Sequence, residues 1–137
     1  MHATVRFDRE LPLVGLNEKG QQTLFDATMD FTGPAKFASP MEVVLESLAA
    51  CSMMDIIAIL KKMRKELISL ETDLEAVRAE EHPRVFTSIH VRYRYHSPDC
   101  TPDDFEKAAS LSIDKYCSVA AMIRGSGCAI TWNAEIC

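Results

Sequence analysis

Ser39-Pro40-Met41-Glu42-Val43-Val44-Leu45-Glu46-Ser47-Leu48-Ala49-Ala50-Cys51-Ser52-Met53-Met54-Asp55-Ile56-Ile57-Ala58-Ile59-Leu60 is the stretch on which the reading of the fold turns. Its first four residues spell a capping box. Ser39 can accept from the backbone three residues on, Glu42 can reach back to the Ser39 amide, and Pro40 suits the first helical position. The run Lys61-Lys62-Met63-Arg64-Lys65 puts cations where a helix C-terminus favours them. A helix from Ser39 to about Lys65 follows. Its apolar residues cover nearly the whole circumference, which marks a buried helix rather than an amphipathic one. A chain of 137 residues has difficulty surrounding so long a helix by itself, and a second subunit would complete the burial. Glu46 and Asp55 argue against a membrane span.

Outward from this helix the pattern is β on both sides. On the N-terminal side, Ala3, Val5 and Phe7 alternate with Thr4 and Arg6. Asn17-Glu18-Lys19-Gly20 reads as a turn and Thr23 to Ala27 as a returning strand, with a loop from Gly33-Pro34. On the C-terminal side, Leu70 to Ala79 and Val85 to Tyr95 read as two strands joined by a turn at Glu80-Glu81-His82-Pro83. The second places Ile89, Val91, Tyr93 and Tyr95 on one face and His90, Arg92 and Arg94 on the other. Thr101-Pro102-Asp103-Asp104 starts a second helix, expected to run to about Cys117. Ser118 to Ile123 forms a further turn or short helix, Gly125-Ser126-Gly127 breaks it, and Ala129 to Ala134 closes as a strand. The order is meander, long helix, hairpin, helix, strand: an α+β class, read as one domain over residues 1–137.

Composition narrows the function. Fifteen basic residues against 20 acidic ones give a net charge of −5, so a nucleic-acid partner is not expected. The start of the chain has no apolar core of a secretory signal, which with the helix charges points to a cytoplasmic protein with no membrane role. The five cysteines, Cys51, Cys100, Cys117, Cys128 and Cys137, are an odd number, which argues against a disulfide framework. No C-x-x-C and no Cys/His group at zinc spacing is present, so neither metal nor cofactor is expected. Cys51 falls mid-helix, out of reach of the helix dipole, with Asp55 one turn on along the same face. On the residues alone, Cys51 and Cys117 are as well read as small apolar fillers. Cys100, in the Ser97-Pro98-Asp99-Cys100 loop, is expected to be exposed and incidental, and Cys128 and Cys137 incidental.

The Ser-Pro-Met-Glu start leading to Leu48-Ala49-Ala50-Cys51 and Asp55 resembles the central-helix motif of the OsmC/organic-hydroperoxide-resistance family. Lys115-Tyr116-Cys117-Ser118-Val119 resembles that family's second cysteine motif. Ala79-Glu80-Glu81-His82-Pro83-Arg84-Val85-Phe86 is similar to a segment of a shorter OsmC-like branch. The resemblance covers essentially the whole chain. It implies antiparallel sheets around a long central helix in an intertwined homodimer, and a thiol-dependent peroxidase. Cys51 would attack an organic hydroperoxide and become a sulfenic acid, Cys117 would condense with it to a disulfide, and a dithiol would reduce that disulfide. A mostly apolar pocket would favour organic hydroperoxides. Where the family's peroxidases carry a Glu ten residues before the first cysteine, holding an essential Arg, this chain has Met41. Glu42 is one position later, rotated about 100° around the helix. Arg6, Arg9, Arg78 and Arg124 all remain candidates for the cation. The competing reading is a non-enzymatic protein of the same fold that binds a small apolar or electrophilic ligand.

Overall fold

In the computed structural model, which describes residues 1–26 and 34–137, the capping box closes as the sequence implies. The Ser39 amide donates to Glu42 Oε2 at 2.7 Å and the Glu42 amide to Ser39 Oγ at 3.3 Å. The Ser39 backbone bond holds the Glu42 carboxyl below its ordinary pKa. The helix, α1, spans Pro40–Lys62. It stops at Arg64, whose φ of 59° is left-handed. The Lys65 amide then donates to Leu60 O and the Arg64 amide to Lys61 O, each at 3.0 Å. This pair of bonds is a Schellman cap with arginine in the place usually given to glycine.

Within a single chain α1 is buried along one side only. Its buried residues are Leu48, Ala49, Ser52, Ile56 and Leu60, one stripe at helical spacing. Val44, Met54 and Ile57 on its other flanks are exposed. By length and composition α1 could also cross a membrane, so Glu46 and Asp55 do not exclude a span as the sequence suggested. Its two mid-helix polar residues nevertheless find protein partners: Tyr93 donates to Ser52 at 2.8 Å, and Ser112 to Asp55 at 3.0 Å. These bonds are those of a core helix.

The chain divides into two compact units, residues 1–46 and 47–137. The first carries an antiparallel meander of β1 (Ala3–Asp8), β2 (Glu10–Asn17) and β3 (Gln22–Phe25). Asn17 builds the turn after β2: its Oδ1 accepts from the Lys19 and Gln21 amides, and Gly20 takes a φ of 76°. At Gly15 an added Cβ would stand 3.1 Å from the Phe25 ring, so any larger residue there would have to push that ring aside by a few tenths of an ångström. Every residue of β1 is exposed, including the alternating Val5 and Phe7. The expected strand from Thr23 ends at Phe25 within the described residues; Ala27 and Gly33 lie outside them.

The second unit is built on β4 (Ser69–Arg78), β5 (Phe86–His96) and β6 (Ala129–Ile136), with β5 in the middle, antiparallel to β4 and parallel to β6. The alternation read in β5 is seen directly: Ile89, Val91, Tyr93 and Tyr95 are buried. Phe105 stacks on Tyr95 with centroids 4.0 Å apart, and Trp132 meets Tyr93 edge-on at 6.2 Å. On the opposite face Arg94 bridges Glu71 and Asp73 at 2.8 and 2.9 Å.

A parallel neighbour needs a crossover, and the chain between β5 and β6 supplies it as α2 (Pro102–Leu111), a π turn (Ser112–Tyr116) and α3 (Ser118–Gly125). Thr101 and Asp104 form a capping box for α2, and Lys65 pairs with Asp104 at 3.1 Å. The Thr101 bonds, helped by Lys65, hold Asp104 down to a pKa of about 2. The expected helix to about Cys117 is observed with one change: after Leu111 it widens into the π turn, which carries it on to Tyr116, and Cys117 caps α3. Cys100 is corrected, being buried rather than exposed.

Candidate active site

The spacing of α1 decides what it presents. Leu48, Ser52, Ile56 and Leu60, four apart, form the buried stripe. Cys51 and Asp55, also four apart, form the next stripe and are half-buried. The facing element is the π turn. Its closing bond runs from the Cys117 amide to Ser112 O at 2.7 Å, five residues back. That leaves Cys117 extended, with ψ of 104°, at the N-cap of α3, where its Sγ accepts from the Ala120 amide at 3.3 Å.

The result brings together two segments that are distant in sequence. Cys51 Sγ, a carboxylate oxygen of Asp55 and Cys117 Sγ all lie within 4.8 Å of one another. Both thiols are free, as are Cys100, Cys128 and Cys137. Ser112, fully buried, places its hydroxyl 3.0 Å from Asp55 Oδ2 and 3.2 Å from Ser52 O, two acceptors for its one proton. Tyr93 donates to Ser52 Oγ, which donates on to Ala49 O at 2.9 Å. Burial pushes the Tyr93 phenol up to about 12, against the Ser52 bond, with Cys117 and Asp55 adding to the rise. Tyr93 is thus a fixed neutral donor beneath the thiols.

Cys117 is pushed up to about 11. Burial is the main cause; the Ala120 amide opposes it, and the Cys51 thiol and Asp55 carboxylate add to it. A helix N-terminus ordinarily lowers a cysteine's pKa. Here the loss of water outweighs it, and Cys117 is a neutral thiol at pH 7. The ionisable groups acting on it, Cys51 and Asp55, offer no positive charge. Of the four candidate arginines, Arg124 is engaged by Ile113 O at 2.9 Å and Asp114 at 3.8 Å. Arg78 donates to Arg84 O at 2.9 Å. Arg6 and Arg9 belong to the first unit, exposed on its β1–β2 hairpin. The sequence pointed to Cys51, Cys117 and Asp55. It did not point to Ser112 or Tyr93, whose partners lie 57 and 41 residues away.

A cleft of about 520 Å³ lies elsewhere on the second unit, lined by Tyr95, Pro102, Glu106, Trp132 and Ile136 among others. None of its walls is a thiol, so it does not serve the Cys51–Cys117 chemistry.

Residues 33–133 match the family model for OsmC-like proteins. The chain belongs to the OsmC family. Protein YhfA of Escherichia coli K12 is 36% identical over 123 residues, covering 90% of this chain and 89% of the relative. A hypothetical protein from Aquifex aeolicus has a solved structure with a TM-score of 0.78 at 28% identity, covering 98% of this chain and 96% of that one. An organic hydroperoxide resistance protein from Legionella pneumophila shares the fold with a TM-score of 0.67 at 15% identity, over 98% and 95% of the two chains. The α+β class and the family resemblance read from the Cys51 and Cys117 motifs are thereby borne out. Cys51 and Cys117 both lie within residues 47–137.

Proposed function

We propose that the protein is a thiol-dependent peroxidase of organic hydroperoxides, acting in the cytoplasm as a homodimer. The observation that carries the reading is the approach of the Cys51 and Cys117 sulfurs beside Asp55, all within 4.8 Å. The Cys51 thiolate attacks the distal peroxide oxygen and the O–O bond breaks. The alkoxide takes a proton from solvent and leaves as the alcohol, and Cys51 becomes a sulfenic acid. Cys117 then attacks the Cys51 sulfur, water departs, and the disulfide forms. Two electrons from a dithiol restore both thiols. Since Cys117 begins this step neutral, it must give up a proton, and Asp55 is the base within reach. Attack by Cys51 needs a thiolate and hence positive charge nearby. The family resemblance implies an arginine as its source.

The dimer rests on uncovered apolar surface. Met54 is 72% exposed on α1, and Val5 and Phe7 are 57% and 63% exposed on β1. Large apolar side chains left exposed on each unit are what a second copy would cover.

The test is consumption of an organic hydroperoxide with dithiothreitol as reductant, compared with hydrogen peroxide. Activity is expected to vanish in Cys51→Ser. In Cys117→Ser, Cys51 is expected to accumulate as a trappable sulfenic acid without turnover. Failure of the folded dimer to consume any hydroperoxide would overturn the reading. One feature favours a second function, a non-enzymatic protein holding a small apolar or electrophilic ligand. Met41 stands where the family resemblance calls for an Arg-holding Glu.

A further inference from the structure

We infer that in the reduced protein Cys51, Asp55 and Cys117 form a three-ligand site for a thiophilic divalent cation, with zinc as the fitting ion. The inference does not require the protein to turn over peroxide. It starts from the ligand atoms, which already lie within 4.8 Å of one another. With Zn–S near 2.3 Å, tetrahedral geometry places two sulfurs ~3.8 Å apart. The sulfurs therefore need to close by about 1 Å or less, and each sulfur–oxygen pair, ~3.5 Å apart in such a site, by about 1.3 Å or less, which rotation of half-buried Cys51 and Asp55 can supply. Cys51 and Asp55 are four apart on α1, the spacing by which a helix offers two ligands to one metal. The third ligand comes from the π turn, whose backbone is fixed by the Cys117-to-Ser112 bond.

The donor set selects the ion. Two thiolates disfavour magnesium and calcium, which take oxygen ligands. The carboxylate oxygen disfavours copper(I), which prefers sulfur. Zinc accepts both donor types. Metal sites also need outer partners that aim their ligands. Ser112 is such a partner, fully buried and 3.0 Å from Asp55 Oδ2. A dication would satisfy all three groups together. On binding, two S–H bonds give way to two S–Zn bonds and two protons leave to solvent; no electrons are transferred. Three protein ligands leave the fourth position for water or an outside thiol. The same sulfurs cannot hold zinc and a disulfide at once, so the metal and oxidised forms exclude one another.

Cobalt(II) is the probe, because tetrahedral thiolate cobalt absorbs in the visible and near ultraviolet. The test uses the reduced full chain with Cys100→Ala, Cys128→Ala and Cys137→Ser, and in parallel the unaltered chain. One cobalt per chain is expected, with tetrahedral bands that zinc displaces. Cys51→Ser and Cys117→Ser should each abolish the bands. Asp55→Asn, which keeps the side-chain shape, should retain sulfur-to-cobalt absorption but weaken binding at least about tenfold, and Ser112→Ala should weaken it roughly 10- to 100-fold. Circular dichroism identifies any variant that has failed to fold. For such a variant, the parent chain alkylated at its thiols takes its place and should bind no cobalt. The proposal is overturned if the folded parent gives no tetrahedral bands, if they survive loss of either thiol, or if Asp55→Asn binds as the parent does. Hydroperoxide turnover is measured on metal-free protein, so loss of the peroxidase reading and loss of this one are separately visible.

Discussion

The two sheets have the same number of strands and opposite fates. In β4–β5–β6 the inward residues of the central strand, Ile89, Val91, Tyr93 and Tyr95, are at most 2% exposed, covered by aromatic neighbours and by α1. In β1–β2–β3 the same alternation is written in β1, yet Val5 and Phe7 remain more than half exposed. A period-2 pattern states which side of a strand wants cover; it does not state whose chain supplies it. The first sheet thus carries an unmet demand for burial that the second has met, and the exposed flank of α1 adds to it.

The widest separation between the two sheets is expected from matched truncations. Phe105→Ala removes a fully buried ring stacked on Tyr95 and should cost about 3–5 kcal/mol in urea unfolding, whatever the protein concentration. Phe7→Ala should act mainly through association, so its unfolding midpoint should depend on concentration. Equal, concentration-independent losses in both would erase the contrast. Next comes Met54→Glu on the open flank of α1, which places a charge in the proposed interface. Sedimentation at micromolar concentration should show its dimer dissociating at least about tenfold more readily, a change of roughly 1.4 kcal/mol. An unchanged dimer would move the interface elsewhere.

Within the second unit, burial should be visible in pH. Cys117 ionises near 9 in the unfolded chain but near 11 when folded. The folded state prefers the neutral thiol, so this contribution to stability is complete below pH 9 and is lost as pH rises toward 11. The stability difference between the parent and Cys117→Ala should shrink across that window. Alkylation of Cys117, with the other four cysteines replaced, should accelerate only toward its upper end. A rise centred near the ordinary cysteine value would show that water reaches the thiol. Tyr93→Phe keeps the ring but deletes its bond to Ser52, and should cost about 0.5–1.5 kcal/mol. Arg94→Ala should show the least effect, about 0.2–1 kcal/mol and reduced by salt, because its bridges to Glu71 and Asp73 lie in water.

What the sequence made legible was local. Ser39 with Glu42, and Thr101 with Asp104, are reciprocal bonds over three residues, and both helix starts could be read from them. The alternation of β5 was equally plain. The widening from α to π after Leu111 was not, since Leu111-Ser112-Ile113-Asp114-Lys115-Tyr116 contains neither glycine nor proline and an extra residue in a turn leaves no compositional trace. The exposed side of α1 was hidden for the reverse reason: apolar residues all round record a need for burial without saying which side a single chain covers. Cys51 and Cys117 were found through motifs, while the carboxylate–serine contact between Asp55 and Ser112 depends on how the crossover packs on α1, a long-range fact. Cys100 looked exposed because loops usually are. Ser97 folds this loop back, accepting from the Cys100 amide at 2.9 Å, and so buries the thiol.

The π turn has a genetic consequence. The Cys117 amide reaches back five residues to Ser112, where an ordinary helical turn reaches four. Asp114, Lys115 and Tyr116 are all exposed, so this segment should accept many changes of residue type. It should not accept a change of length. Losing one codon among those three would let the turn relax to four-residue spacing and swing Cys117 by about 100° away from Cys51. In a lineage of related genes, this stretch should therefore vary freely in letters and hardly at all in count wherever the two thiols work together.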